Sequence, residues 1–304
     1  MTQTRAEPNT LPPAYAKLGA TTGFCPPSPE DCRIVVASPG GDGKSTFAMS
    51  VPDAIVLDFD RGTHSIAQAR ATRMVIGEGP SGRVDPYDHY QRIMTQLCED
   101  GEKGKSPFRR VVIDTADTWT DLLGQHLAEE KKVESVGEYG QKGAGWSLLR
   151  ERCKLDIQGL QAAGYSWMVL CHITEKNVTL GKEEHTVMRP SVFPSCYDMI
   201  RNLADIEAVI RCERRTVEKT EQRTFNIGGK SVTRDVPTGE SETLHKYIMQ
   251  LESDDLRRAK RRLVGLGGEL VVPAIDAWSS TFRPFYVKAV SDIVKQYGEK
   301  PPTW

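Results

Sequence analysis

No stretch of this chain holds the roughly 18 consecutive apolar residues that a membrane-spanning helix needs, no Cys-x-x-Cys pair occurs, and charge of one sign is missing: 41 Asp and Glu stand against 40 Lys and Arg. The first absence excludes a helical membrane span. The opening Met-Thr-Gln-Thr-Arg-Ala-Glu-Pro also lacks the apolar centre of a secretory signal, so a cytoplasmic location and no membrane partner are expected. Seven cysteines, an odd number, are scattered at Cys25, Cys32, Cys98, Cys153, Cys171, Cys196 and Cys212, which argues against a zinc site or a disulfide framework and for reduced thiols. A formal charge of −1 gives no global attraction to polyanions. Any nucleic-acid binding must come from a local patch or from a surface assembled between subunits. With 304 residues there is chain for one medium α/β domain plus appendages.

What is present is a phosphate-binding loop. Arg33-Ile34-Val35-Val36-Ala37 is a short apolar run, Ser38-Pro39-Gly40-Gly41-Asp42-Gly43 a glycine-rich turn, and Lys44-Ser45-Thr46 opens the next segment. Glycine lets successive backbone N–H groups curl around a phosphate with no Cβ in the way, and the following helix adds its N-terminal dipole. Residues Pro39 to Thr46 are therefore the expected nucleotide cradle, with Lys44 reaching the β- and γ-phosphates and the Ser45 hydroxyl ligating Mg²⁺. Ser38 departs from the usual pattern, which has a glycine there. Pro39 stands where the partition-type variant of this loop carries a second lysine.

Short β-branched runs alternate with longer amphipathic stretches from Cys32 onward: Ile34–Ala37, Ala54–Asp58, Met74–Ile76, Arg110–Asp114, Trp167–Cys171 and Ile206–Arg211. Such alternation predicts a mainly parallel sheet flanked by helices. Helices are expected at Thr46–Ser50, Tyr87–Cys98, Thr118–Lys132 and Leu148–Ala163, the last ending at Gly164. Beyond Arg211 the texture turns polar. A hairpin turning at Gly228-Gly229 and a strand over Leu244–Leu251 predict an antiparallel extension of the sheet. Residues 1–30 read as an N-terminal arm for oligomer contact, 31–252 as the core with its β extension, and 253–304 as a helical tail. The basic run Arg257–Arg262 reads as a solvated helix face, with phosphate contact as its alternative.

Further chemistry clusters at the ends of the other strands. Asp114 ends an apolar strand, the Walker B pattern, and is expected to hold Mg²⁺ with Ser45. Thr115 follows it, where many ATPases have the glutamate that orients water, so the base must come from elsewhere. Asp58 and Asp60 share one orientation if their strand persists, and Asp60 is the candidate base with Asp58 as a structural partner. His172, after the strand Ser166–Cys171, is placed to sense the γ-phosphate. Catalytic roles therefore fall to Asp60, Lys44 and His172. Arg211 and Arg214 are candidates for reaching a neighbouring subunit's nucleotide.

With these motifs in hand, the chain resembles the phage nucleotide-binding proteins with a RecA-like ATPase core, which include the Sak-type single-strand annealing ATPases. The resemblance runs from about Arg33 to about Arg262 and includes Tyr139-Gly140 and Trp146 as well as the motifs above. It implies a RecA-like P-loop fold and an ATP- and Mg²⁺-dependent oligomer, ring or filament. Such an oligomer works on single-stranded DNA in phage recombination, annealing or replication, beside a phage single-strand-binding or recombination protein, in a phage-infected or prophage-bearing bacterium. Because Asp60 is one methylene shorter than the usual glutamate, slow hydrolysis is expected. Two loops would touch DNA: Lys131–Gly145, with Lys131, Lys132 and Lys142, and Thr174–Cys196, with Lys176, Lys182 and Arg189. Both are expected to be mobile. The alternative is an NTP-dependent switch for a protein partner. A small-molecule kinase is disfavoured by the lack of an arginine-rich lid between the third and fourth helices.

Overall fold

The structure is a computed structural model that describes Lys17 and residues 26–66, 68–141, 143–180, 183–227, 230–251, 260–261, 268–273 and 275–296. Its centre is a sheet whose apolar strands β1 (Ile34–Ser38), β2 (Ala54–Asp58) and β6 (Arg110–Asp114) are buried along their whole length. Continuous apolar runs of this kind suit strands covered on both faces. β3 (Thr72–Val75), β7 (Ser166–Leu180) and β9 (Ile206–Ile227) join them, and the parallel order is β9, β1, β7, β6, β2, β3. β10 (Lys230–Gln250) then pairs antiparallel with β9, and β12 (Glu269–Val272) with β10.

Alternation of side chains feeds two cores. Val35 and Ala37 point to one face, where α2 (Pro86–Glu102), α3 (Ala116–Lys131), α4 (Ala144–Ala162) and α5 (Pro194–Leu203) pack through Tyr90, Trp119, Leu123, Ile157 and Ile200. α4 shows the mechanism: Gly145, Leu149, Cys153, Ile157 and Leu160 recur at helical spacing and form its buried stripe. Ile34 and Val36 point to the other face, covered by α1 (Lys44–Met49) through Phe47, by a π-helical turn (Trp278–Phe282) through Trp278 and Phe282, and by α6 (Arg283–Gln296) through Tyr286 and Val290. The segment set apart as a helical tail thus gives β12 to the sheet edge and α6 to the second core. At its start the described chain is fastened by Arg110, whose buried guanidinium donates to the carbonyls of Pro29, Glu30 and Cys32 and lies 4.4 Å over the Trp278 ring. Burial lowers the Arg110 pKa to about 10.

Two expectations are corrected. The segment after His172 is no loose loop: β7 runs on to Leu180 and pairs with β8 (Glu183–Pro190), with α5 following. Within Lys131–Gly145, Val136 is buried and a Cβ on Gly145 would meet the Val136 carbonyl at 1.8 Å, while most of the described residues between them are exposed. Of the basic run, Lys260 and Arg261 form the strand β11 (Lys260–Arg261) against Glu207 and Ile206 rather than a helix face, and the rest lies outside the described residues.

Candidate nucleotide site

The site forms where β1 stops. Gly41 and Gly43 adopt φ of +82° and +91°, which side-chain-bearing residues rarely do, and a Cβ on Gly43 would come within 3.0 Å of the Tyr247 ring. The chain then enters α1 at Lys44, so the first free N–H groups of the helix and those of the turn face the same space. Asp42 is turned away, and its Oδ2 accepts from the Cys212 N–H at 3.1 Å. Ser38 is buried at the strand end, opposite His172 in register, with its hydroxyl donating to the Pro39 carbonyl.

Lys44 is 5 % exposed, and burial lowers its pKa against the pull of the Asp114, Asp117 and Asp60 carboxylates. The ammonium thus lies in the field of three carboxylates. Asp114 ends β6 and is 2 % exposed. Burial, with Asp58 and Asp60 nearby, pushes its pKa up to about 6 in spite of a Ser45 hydrogen bond and the Lys44 charge. Its Oδ2 is buried without a partner. An orphaned carboxylate oxygen beside a serine hydroxyl and a lysine fits a hard cation, so Ser45 and Asp114 are the residues that would hold Mg²⁺. When bound, the ion would neutralise phosphate charge.

Asp58 and Asp60 do not share an orientation. β2 ends at Asp58, and the backbone bends after it. Asp58 is fully buried and accepts from Gly62 N–H at 3.2 Å and Thr63 N–H at 3.1 Å, capping a short 3₁₀ turn over Gly62–Ser65. Asp60 is exposed and accepts from the hydroxyls of Thr115, at 2.7 Å, and Thr118.

Asp117 escaped the sequence reading. It lies in the first turn of α3, where an acidic residue reads as a helix-dipole partner. The order of strands sets β7 beside β6, and the N-terminus of α3 meets β7 midway along it, at His172. There Asp117 Oδ1 accepts from the His172 N–H at 3.0 Å, while Oδ2 pairs with His172 Nδ1 and accepts from Thr115 Oγ1. Burial raises the Asp117 pKa, but the contacts from His172 and Thr115 outweigh it and hold the carboxyl below its usual range. The carboxylates of Asp60 and Asp117 and the His172 imidazole lie within 4.8 Å of one another.

A second missed residue is Tyr247. With Gly43, Thr46, Phe47, Ile210, Val272, Pro273 and Ala277 it lines an apolar pocket beside the loop. Only assembly of β10 and β12 against α1 creates it.

The other expected residues are spread out. Lys131 pairs with Glu130 and lies 5.7 Å over Tyr139, Lys132 ends α3 with φ of +54°, Lys176 lies in the distal part of β7, and Arg189 is exposed in β8. Lys142 and Lys182 lie outside the described residues. Arg211 is tied to Glu269 and Glu213, and Arg214 stands exposed on β9. No helix among the described residues is long and apolar enough to cross a membrane.

No curated protein matches the chain. A family model described as an AAA domain matches residues 30–263, which takes in the phosphate loop, Asp60, Asp114, Asp117, His172 and both strands of the β9–β10 extension. By that match over most of its length, with a phosphate loop at the edge of a parallel sheet, the chain belongs to the AAA family of P-loop ATPases.

Proposed function

We propose that this chain is a Mg²⁺-dependent ATPase that works as an oligomer on single-stranded DNA in phage recombination, annealing or replication. The observation that carries the ATPase reading is the pairing of a buried, partnerless Asp114 oxygen with Lys44 and Ser45 at the phosphate loop. The DNA reading rests on resemblance to the Sak-type annealing ATPases.

Lys44, itself 5 % exposed, draws the phosphates into the loop. The apolar pocket around Tyr247 seats the base by stacking, and the hydroxyls of Thr46 and Tyr247 are the polar side-chain groups in its lining. Asp60, its oxygens fixed by two threonine hydroxyls, orients the attacking water and takes its proton. His172 meets the γ-phosphate. Asp117 holds Nδ1 of that ring, which leaves Nε2 for the phosphate.

The test is ATP hydrolysis by the full chain with Mg²⁺, with and without single-stranded DNA, beside Lys44→Ala and Asp60→Asn. Stimulation by DNA that vanishes in Lys44→Ala is expected, and Asp60→Asn should bind nucleotide without turning it over. Full turnover in Lys44→Ala would remove the site assignment. Turnover indifferent to DNA would favour a switch for a protein partner. One feature favours that second reading: Leu148 and Leu155 stand exposed on α4 beside a groove lined by Tyr87, Leu123 and Leu127.

A further inference from the structure

β9 and β10 leave the sheet after Ile210 and continue as a two-stranded ribbon to Ile227 and back from Lys230, a reach of about 55 Å at strand rise. Directly opposite residues share a face, so the register sorts the side chains into two sets. One face pairs Arg215 with Leu244, Val217 with Glu242, Glu221 with Val236, Arg223 with Arg234 and Phe225 with Val232. The other pairs Thr216 with Thr243, Thr220 with Pro237, Gln222 with Asp235 and Thr224 with Thr233.

The faces differ in kind. Among the described side chains, the first carries Arg211, Arg215, Lys219, Arg223, Arg234 and Lys246 against Glu213, Glu221, Glu240 and Glu242. It also carries all the large apolar side chains of the free ribbon: Val217, Val232 and Val236 are half-buried, and Phe225 and Leu244 are 40 % and 48 % exposed. The second carries Arg214 against Glu218 and Asp235, with hydroxyls between. Arg211, Lys219 and Arg223 are ion-paired, whereas Arg215, Arg234 and Lys246 have no ion pair among the described residues. A nearly neutral chain has therefore gathered unpaired cations and apolar surface on one side of one ribbon. A two-stranded ribbon with no layer packed on it is marginal by itself, so this face is built for a partner.

We propose that this basic, apolar face of the β9–β10 ribbon is a docking surface for single-stranded nucleic acid. Phosphates answer the unpaired cations, and unstacked bases lie on Phe225, Leu244 and the valines. A duplex would meet the cations but present no base face to the apolar side chains. At its root the ribbon touches the phosphate loop twice, through the Cys212 N–H bond to Asp42 and the packing of Tyr247 on Gly43. The proposal rests on the DNA reading above and gives it a surface.

The test is fluorescence anisotropy of a labelled oligo-dT of about 30 nucleotides against the full chain, with Mg²⁺ and a non-hydrolysable ATP analogue, over a series of salt concentrations. One variant combines Arg215→Gln, Arg234→Gln and Lys246→Gln. The control combines Thr216→Glu, Thr220→Glu and Thr224→Glu, which changes net charge equally on the opposite face. The first is expected to raise Kd at least ~10-fold and to flatten the salt slope by about 2. The control should stay within ~3-fold of the parent, both folding as judged by far-UV circular dichroism. Equal losses in both variants would overturn the proposal, as would parent-like binding by the first. In that last case DNA binds elsewhere and the DNA reading stands. If the parent binds no oligo-dT, both the reading and the surface fall. A drop in oligomer mass with unchanged DNA affinity would make the face a self-association surface and overturn the proposal.

Discussion

One strand of this molecule lives in two regimes. Over Ile206–Ile210 β9 is buried, with β1 on one side and β11, then β10, on the other, and from Glu213 to Ile227 its partner strand among the described residues is β10 alone. In the first part apolar burial and neighbours on both sides hold it. In the second, only the ladder to β10 and cross-strand pairs such as Thr224 with Thr233 do so. Secondary structure thus persists past the core, and what changes is which side chains the strand can afford to show. The root of the ribbon, at Cys212 opposite Tyr247, meets the loop that holds phosphate, and the bare part beyond it is surface for a partner.

The strongest test of that contrast is stability. Ile34→Ala, in fully buried β1, should cost about 3–4 kcal/mol in urea unfolding. Leu244→Ala on the ribbon should cost less than about 0.5 kcal/mol. Equal costs would show that the ribbon is covered in the assembled protein.

Next in size is the link between α3 and β7. Asp117→Asn keeps an oxygen for the His172 N–H but loses the anion facing Nδ1, so kcat should fall about 10- to 100-fold with little change in KM. A pure rise in KM would take His172 away from the γ-phosphate.

Asp114 gives a pH test confined to the core edge. Its pKa in the fold, about 6, lies above the ordinary 3.8, so the folded state binds the proton more tightly than the unfolded chain does. Its ionisation therefore costs stability at high pH, and that cost fades as pH falls through about 6. Without Mg²⁺, Asp114→Asn should be more stable than the parent by about 3 kcal/mol at pH 8 and no more stable near pH 4. Urea unfolding at the two values checks this. The variant should also lose turnover.

The smallest effect is expected where the two regimes meet. Tyr247→Ala removes one wall of the base pocket, and KM for ATP should rise about 3- to 10-fold with kcat kept.

Much of the core was legible. Ala54–Asp58 and Arg110–Asp114 are strands with the expected bounds, because apolar β-branched runs between turn residues have few other uses. The antiparallel extension was legible from its hairpin turn, but its length and the continuation of β7 were not, since the distal part of β7 and the middle of β9 are mostly charged and polar residues with no burial signal. Asp60 was expected to follow Asp58 along a strand, but hydrogen bonds from Gly62 and Thr63 to Asp58 end that strand and turn the chain.

The linear chain by itself determined the phosphate loop, with Lys44 and Ser45, and the apolar strand that carries Asp114, because glycine spacing and runs of buried residues are local properties. Only tertiary structure decided that β7 enters between β1 and β6, which sets His172 opposite Ser38 and against Asp117, and that Tyr247 closes over Gly43. Strand order is settled by which faces can be buried together, and no single segment of a chain encodes its neighbour.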